Sequence, residues 1–222
     1  MTCLHRPCDY IFVAETPALH ASAPVAAFIS EEIARPSKQW IVHILNGHQE
    51  KEAVRCAHED FLLLPDTERI NRYNKVGGGQ TRYNRRILNW LAIARDMGLR
   101  TLRDLRGRHV PMLQTMLQTC MAHIKKETGI QPEQIMAYIH YPPSVYQLHV
   151  HFSYPYGQYC HRDAYRVHNL SNVIDNLLLD PEYYTRSTLH IPVHRQSAHF
   201  LALTQSPGNK GDEGADENLQ DT

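Results

Sequence analysis

The chain has 222 residues, in which 23 lysine and arginine residues are balanced by 23 aspartate and glutamate residues. This length is sufficient for one domain with a full hydrophobic core, and the balanced charge argues against a general affinity for long nucleic acids. The five cysteines form no Cys-x-x-Cys pair and no apolar run is long enough to span a bilayer, which disfavours a disulfide framework, a zinc ribbon and a membrane protein. We expect a soluble protein of a reducing compartment.

The first 36 residues are predicted to form an N-terminal extension and linker. Residues 9–14 are compatible with a short strand, and the run from Pro17 to Pro24 is rich in alanine, serine and proline, as linkers are. A helix is predicted from about Ser37, because a proline is tolerated just before a helix but not inside one. Asn46-Gly47 is expected to end this helix.

Two strands are predicted next, over residues 50–55 and 60–64, and a loop over residues 73–81. The loop contains three successive glycines, which could cradle a phosphate group. It lacks the preceding strand and the following helix motif of a phosphate-binding loop, so a plain surface loop is the better interpretation.

The middle of the chain is predicted to be mainly helical. Apolar residues recur at helical spacing over residues 87–94 and again over 113–126, where Gly129 supplies the stop. A third helix is predicted over residues 167–178, followed by a strand over 189–193. The tail, residues 205–222, is rich in glycine and acidic residues and is expected to be disordered.

The most informative stretch is residues 146–153, in which apolar and polar side chains alternate strictly, as on a half-buried strand. Leu148, Val150 and Phe152 would face the core, because successive side chains of a strand point to opposite sides. The opposite face would then carry Gln147, His149 and His151.

A second apolar run, residues 135–140, precedes this strand and is joined to it by the proline-rich connection 141–145, which suggests a hairpin. Pairing of residue 140 with residue 147 would place His140 on the same face as His149 and His151. Three clustered imidazoles indicate a ligand site. A zinc site built on these histidines is an alternative, although the strand itself offers no carboxylate or cysteine to complete it.

The order of elements predicts an α+β domain with a mostly antiparallel sheet flanked by helices, spanning residues 37–204. Gln147-Leu-His149-Val-His151-Phe resembles the histidine-triad (HIT) motif, and further blocks are similar to the scavenger mRNA decapping enzymes, the DcpS family. These blocks occur in the family's order over about residues 40–193: 99–105, 140–144, 146–152, 166–177 and 180–184.

The resemblance implies a HIT-like fold and hydrolysis of the triphosphate bridge of 5′-capped short RNA or cap dinucleotide. It implies release of 7-methylguanosine monophosphate through a nucleotidyl-histidine intermediate on His149, without metal or cofactor. An imidazole is chemically suited to such covalent catalysis. The residues implied to bind phosphate are His140, Ser144, Gln147, His151 and Arg166, and those implied to bind the cap base are Trp40, Glu50 and Asp66.

The family also implies a homodimer that acts on capped RNA fragments in the cytoplasm and the nucleus and does not bind membranes. A cationic 7-methylguanine would stack on the indole of Trp40, although an isolated tryptophan is more often a core residue, and Asp66 could equally cap a turn.

The chain departs from the family pattern in several places. Gln147 replaces the first histidine of the triad, Val145 replaces a tyrosine, and Thr67 and Glu68 replace an apolar residue and a lysine near the base. The family's swapped N-terminal domain is expected to be missing, because only 39 residues precede Trp40. Two alternatives therefore stay open: hydrolysis of other dinucleoside polyphosphates such as diadenosine polyphosphates, and cap or nucleotide binding without turnover.

Overall fold

A computed structural model describes residues 9–49, 53–66, 88–154 and 165–205. The glycine-rich loop and the acidic tail after Gln205 lie outside the described residues. So do the predicted base-binding residue Glu50 and the two residues that depart from the family pattern, Thr67 and Glu68. Within them the protein combines helices with two antiparallel sheets, which confirms the predicted α+β class.

The larger sheet has the strand order β2-β3-β4-β6-β5-β7, and the smaller sheet pairs β1 with β8. All pairs are antiparallel. The strands are β1 (Tyr10–Glu15), β2 (Cys56–Ala57), β3 (Phe61–Pro65), β4 (Leu88–Ala94), β5 (Met136–His140), β6 (His149–Tyr154), β7 (Val167–Asn169) and β8 (Leu189–His194).

The helices are α1 (Pro17–His20), α2 (Ala23–Ala34), α3 (Trp40–Leu45), α4 (Val110–Thr128), α5 (Leu170–Leu179), α6 (Tyr183–Arg186) and α7 (Ala198–Thr204). The long helix α4 ends as predicted at Gly129, which adopts a left-handed conformation with φ 75°. Glycine takes this conformation without the steric cost that a Cβ would add. In the described part of the chain, no helix is both long and apolar enough to cross a bilayer.

The helix predicted over residues 87–94 is wrong, because Leu88–Ala94 forms strand β4. All seven of its residues are buried, since β4 lies between β3 and β6 and both of its faces are covered. A strand buried on both faces is a nearly continuous apolar run, interrupted in β4 only by Asn89, and periodicity cannot separate it from a short buried helix.

The linker predicted between Pro17 and Pro24 is also wrong, since this run contains α1 and the start of α2. Prolines at the first turns of helices are compatible with helix formation, because the missing N–H group would have no partner there. Strand β1 pairs with β8, so residues on both sides of position 36 build the smaller sheet.

Two further boundaries differ from prediction. The first strand after α3 is Cys56–Ala57, later than predicted, with residues 50–52 outside the described part. Val167–Asn169 is strand β7 rather than helix, and α5 begins only at Leu170, where the Asn169 side chain accepts a hydrogen bond from the Ser171 N–H group. An asparagine at this position is a common helix start.

The pairing of β5 with β6 differs from the predicted register by two residues. Tyr138 lies opposite His151, so His140 falls opposite position 149 rather than 147. A shift of two residues leaves every side chain on its predicted face, because side chains alternate with a period of two.

The two faces of the larger sheet contact different apolar clusters. The main core contains Val150 and Phe152 of β6. A smaller cluster lies on the opposite face, where β4 residues Leu91 and Ile93 stand opposite His151 and His149 in the sheet. Helix α3 contributes Ile41 and Ile44 to this cluster, which brings α3 beside the histidines.

Candidate active site

The three histidines predicted to share one face are close together in the structure. The ring centroids of His140 and His151 lie 4.6 Å apart, and those of His149 and His151 lie 5.0 Å apart. All three side chains are buried, on the neighbouring strands β5 and β6 in the interior of the larger sheet. Their placement on paired strands gives the cluster a rigid backbone support.

His149 is held in one tautomer by its own strand. Its Nδ1 atom lies 2.7 Å from the main-chain oxygen of Gln147. A carbonyl oxygen can only accept, so Nδ1 must carry the proton, and in the neutral ring the lone pair lies on Nε2. Nε2 is therefore the nucleophilic atom of this side chain.

The surroundings of His149 favour the neutral ring. Burial lowers its pKa below the ordinary value of 6.5, because a buried imidazolium loses its hydration. The Gln147 carbonyl and the Asp66 carboxylate act in the opposite direction, and the Arg166 guanidinium adds to the lowering. The net pKa shift is downward, so the nucleophilic form predominates at neutral pH.

Tyr138 completes the cluster, and sequence analysis assigned it no role. It is completely buried, and its ring stacks on His151 with a centroid distance of 5.0 Å and an interplanar angle of 12°. It also contacts the edge of His140 at 5.1 Å. The same alternation that placed His140 on this face places Tyr138 there, two residues earlier, so the pattern contained the signal.

Gln147 does not have the geometry of the predicted phosphate donor. Its Nε2 atom donates to the main-chain oxygens of Ala94, at 2.7 Å, and Asp96, at 3.0 Å. A primary amide has two N–H bonds, and both are used by these carbonyls. Among the described residues, Oε1 is buried without a hydrogen-bond partner, and an oxygen acceptor cannot bind a phosphate anion. The side chain instead links the start of β6 to the end of β4.

The connection between β5 and β6 is held by two basic side chains. Arg166 donates from Nη2 and Nε to the Pro142 oxygen, at 2.8 and 3.2 Å. Lys38 donates from Nζ to the Ser144 oxygen at 2.6 Å, and the Ser144 side chain is exposed. Arg166 thus lies against the turn that follows His140 and carries Ser144, and Lys38, which sequence analysis missed, contacts the same turn.

Two of the predicted base-binding residues, Trp40 and Asp66, lie in the described part of the chain. Trp40 begins α3 and is partly buried against the smaller apolar cluster, which also contains Val145. Asp66 directly follows β3 and accepts a hydrogen bond from Asn89 Nδ2 at 3.1 Å. Its carboxylate acts electrostatically on His149, so Asp66 lies near the cluster.

One group of possible metal ligands occurs in the described part of the chain, formed by His58, Glu59 and Asp60 in the turn between β2 and β3. Their ligand atoms lie within 4.8 Å of one another. This group is separate in sequence from the histidine cluster and contains none of the predicted site residues.

Comparison with known proteins adds to this geometry. The family described as "Scavenger mRNA decapping enzyme C-term binding" matches residues 39–162. The chain is 32% identical to the m7GpppX diphosphatase of Bos taurus over 176 residues, 76% of this chain and 48% of that protein. It is 30% identical to that of Caenorhabditis elegans over 197 residues, 83% of this chain and 56% of that protein. The chain spans about half the length of the curated relatives it matches.

Proposed function

Because the chain belongs to the scavenger mRNA decapping enzyme family, we propose that it hydrolyses the triphosphate bridge of cap dinucleotide and short 5′-capped RNA. The products are 7-methylguanosine monophosphate and the remaining nucleoside or RNA 5′-diphosphate. The observation that carries the proposal is the Nδ1 hydrogen bond of His149, which leaves Nε2 as a nucleophile in a buried cluster of imidazoles.

The reaction proceeds in two displacements at one phosphorus atom. Nε2 of His149 attacks the phosphorus next to the methylated nucleoside, and the bond from that phosphorus to the bridging oxygen breaks. The diphosphate product leaves, and the nucleotide remains linked to His149 through a P–N bond. Water then attacks the same phosphorus, the P–N bond breaks, and neutral His149 is restored. Covalent catalysis replaces one difficult displacement with two easier ones.

The Gln147 carbonyl supports the first step. When Nε2 bonds to phosphorus the ring becomes positively charged, and the Nδ1–H group strengthens its hydrogen bond to the carbonyl oxygen. His151, 5.0 Å away between ring centroids, is placed to protonate the leaving oxygen. His140 and Arg166 supply further N–H donors for the phosphate oxygens, and a guanidinium keeps its charge throughout.

Trp40, Asp66 and Glu50 are proposed to bind the methylated base. The support for Trp40 is its position at the start of α3, beside the apolar cluster that borders His149 and His151. An indole face suits a cationic, planar ring. A homodimer that acts in the cytoplasm and the nucleus is proposed on family resemblance alone.

The test is a comparison of three substrates: methylated cap dinucleotide, its unmethylated analogue and diadenosine triphosphate. The wild type is measured beside His149→Ala and, as a matched control, His190→Ala, which removes an exposed histidine on β8. We expect 7-methylguanosine monophosphate from the first substrate, retained turnover in His190→Ala, and a loss of about a thousandfold or more in His149→Ala.

The other possible outcomes correspond to the two alternative functions. Equal turnover of all three substrates would assign the protein to the general dinucleoside polyphosphate hydrolases. Tight binding of the cap dinucleotide without turnover of any substrate would make it a binding protein. A phosphorus-linked adduct trapped on His149 would establish the intermediate directly.

A further inference from the structure

Lys38 is a cationic side chain at the site to which neither the sequence pattern nor the family resemblance assigned a role. Its Nζ atom donates to the Ser144 oxygen at 2.6 Å, while Arg166 donates to the Pro142 oxygen. Two carbonyls of one short turn, separated by a single residue, are therefore each held by a basic side chain. This turn follows directly on His140, at the end of β5.

The hydrogen bond of Lys38 to Ser144 does not neutralise its charge. A carbonyl oxygen is a neutral acceptor and takes one of the three N–H bonds of the ammonium group, so this hydrogen bond does not use the other two donors or the charge. Arg103 and Arg106, by contrast, are paired with Glu15 and Glu182. Within the described ranges of the chain, Lys38 makes no ion pair with a carboxylate.

Lys38 lies between the proposed base-binding residue Trp40 and the turn beside the proposed phosphate-binding residues. It ends a short 3₁₀ turn, Pro36–Lys38, and stands two residues before Trp40, where α3 begins. Its Nζ atom contacts the turn that carries Ser144, next to the histidine strands. Lys38 therefore connects the element that begins with Trp40 to the turn that directly follows His140.

We propose that Lys38 binds a phosphate oxygen of the methylated nucleotide and makes the site selective for nucleotides over nucleosides. The inference rests on the proposed function, because it takes the base position from Trp40 and the reacting phosphorus from His149. Lys38 is a binding residue in this proposal, and the chemical step stays with the histidines.

Three substitutions separate the charge of Lys38 from its hydrogen bond to Ser144. Lys38→Arg keeps both the charge and an N–H donor. Lys38→Gln keeps an N–H donor for the Ser144 oxygen but removes the charge. Lys38→Met removes both and keeps only the apolar stem, so it reports how far the turn depends on the hydrogen bond.

The experiment measures binding of 7-methylguanosine, its monophosphate and its diphosphate by quenching of tryptophan fluorescence, at low and high salt. In the wild type, we expect affinity to rise with each phosphate. Lys38→Gln should weaken diphosphate binding about tenfold and leave nucleoside binding unchanged. Lys38→Arg should retain most of the phosphate preference, and the salt dependence of diphosphate binding should be smaller in Lys38→Gln.

An equal loss for nucleoside and nucleotides in Lys38→Gln would show that Lys38 only supports the fold of the turn, and would overturn the inference. Unchanged diphosphate affinity in Lys38→Gln and Lys38→Met would overturn it as well. Failure of the wild type to bind any of the three ligands would overturn the proposed base site together with this inference. The wild-type titration thus distinguishes the two failures.

Discussion

Two groups of polar side chains are buried to a similar extent in this protein, and they are bonded in different ways. Arg103 and Glu15 are 4% and 1% exposed, and His149 and His151 are 7% and 6% exposed. The first pair is surrounded by hydrogen bonds within the protein. His149 donates to one main-chain carbonyl, and its ring contacts that of His151 edge-on.

The Arg103 network joins distant parts of the fold. The guanidinium donates to both the carboxylate and the main-chain oxygen of Glu15 in β1, at 3.0 and 2.6 Å, and to the main-chain oxygens of Tyr184 and Ser187. The Tyr141 hydroxyl donates to the same Glu15 carboxylate. Tyr141 directly follows His140, so the network also fixes the start of the turn at the candidate active site.

The comparison shows what distinguishes a structural from a reactive polar group in a protein interior. In the Arg103 network, charge is compensated by charge and by carbonyl dipoles, so removing one member leaves another uncompensated. In the histidine cluster, the neutral ring of His149 has one nitrogen bonded and one with a lone pair. The first arrangement supports the fold, and the second can carry out a reaction.

The largest effect on stability is expected from Arg103→Met. The change leaves the Glu15 carboxylate buried without its cation, and we expect the free energy of unfolding to fall by about 3–5 kcal/mol. Urea unfolding followed by fluorescence measures this loss. The double variant Arg103→Met/Glu15→Leu removes both charges and should recover part of the stability; purely additive losses would show that the two side chains are not coupled.

A smaller effect, on catalysis, is expected from Gln147→Met. The change keeps the side-chain volume but leaves the Ala94 and Asp96 oxygens without their donor, which loosens the residue whose carbonyl orients His149. We expect kcat for cap dinucleotide to fall about tenfold while KM changes little, on the scale of one or two lost hydrogen bonds.

Gln147→Glu is the matched variant for this position, because it has the same shape and keeps an oxygen acceptor but has no amide donors. It should lower kcat at least as much as Gln147→Met, since it places a negatively charged carboxylate next to two carbonyl oxygens and the like partial charges repel. A rise in KM with unchanged kcat in Gln147→Met would instead show that Gln147 binds the substrate phosphate directly, and the positioning role would be wrong.

The smallest effect is a dependence of stability on pH, to which the buried histidines and the Glu15 carboxylate contribute over different pH ranges. Burial lowers the pKa of His168 to about 4 and also lowers that of His149. As pH falls below 6.5 the unfolded chain binds protons that the folded chain does not, so stability is lost progressively down to about pH 4. Burial alone would raise the pKa of Glu15, but the hydrogen bond and charge of His20, together with Tyr141 and Arg103, lower this pKa overall. The stability that the ionised Glu15 contributes is therefore lost only below about pH 4.5.

Urea unfolding at pH 7, 5.5 and 4.5 measures this dependence. His168→Gln should flatten the fall between pH 6.5 and 4.5, by on the order of 1 kcal/mol, because the partly buried ring is partly screened by solvent. An unchanged slope in this variant would assign the acid sensitivity to other groups.

The parts of the fold that were predicted correctly have strong local signals. The alternation around His149 identified the strand, its two faces and the grouping of the histidines, because a strand with one apolar and one polar face encodes its orientation in every second residue. Gly129 marked the end of α4 for an equally local reason. Strand β4 was assigned wrongly because its residues, apart from Asn89, are apolar, and only its position between two other strands explains that composition.

The sequence by itself determined the α+β class, the polar face that carries His149 and His151, and the family to which the chain belongs. Tertiary structure decided which partners the polar atoms find, because those partners are distant in the chain. Gln147 bonds across 53 residues to Ala94, and Lys38 across 106 residues to Ser144. Side-chain periodicity reports the face on which a residue lies, but a hydrogen bond depends on what the fold places opposite it.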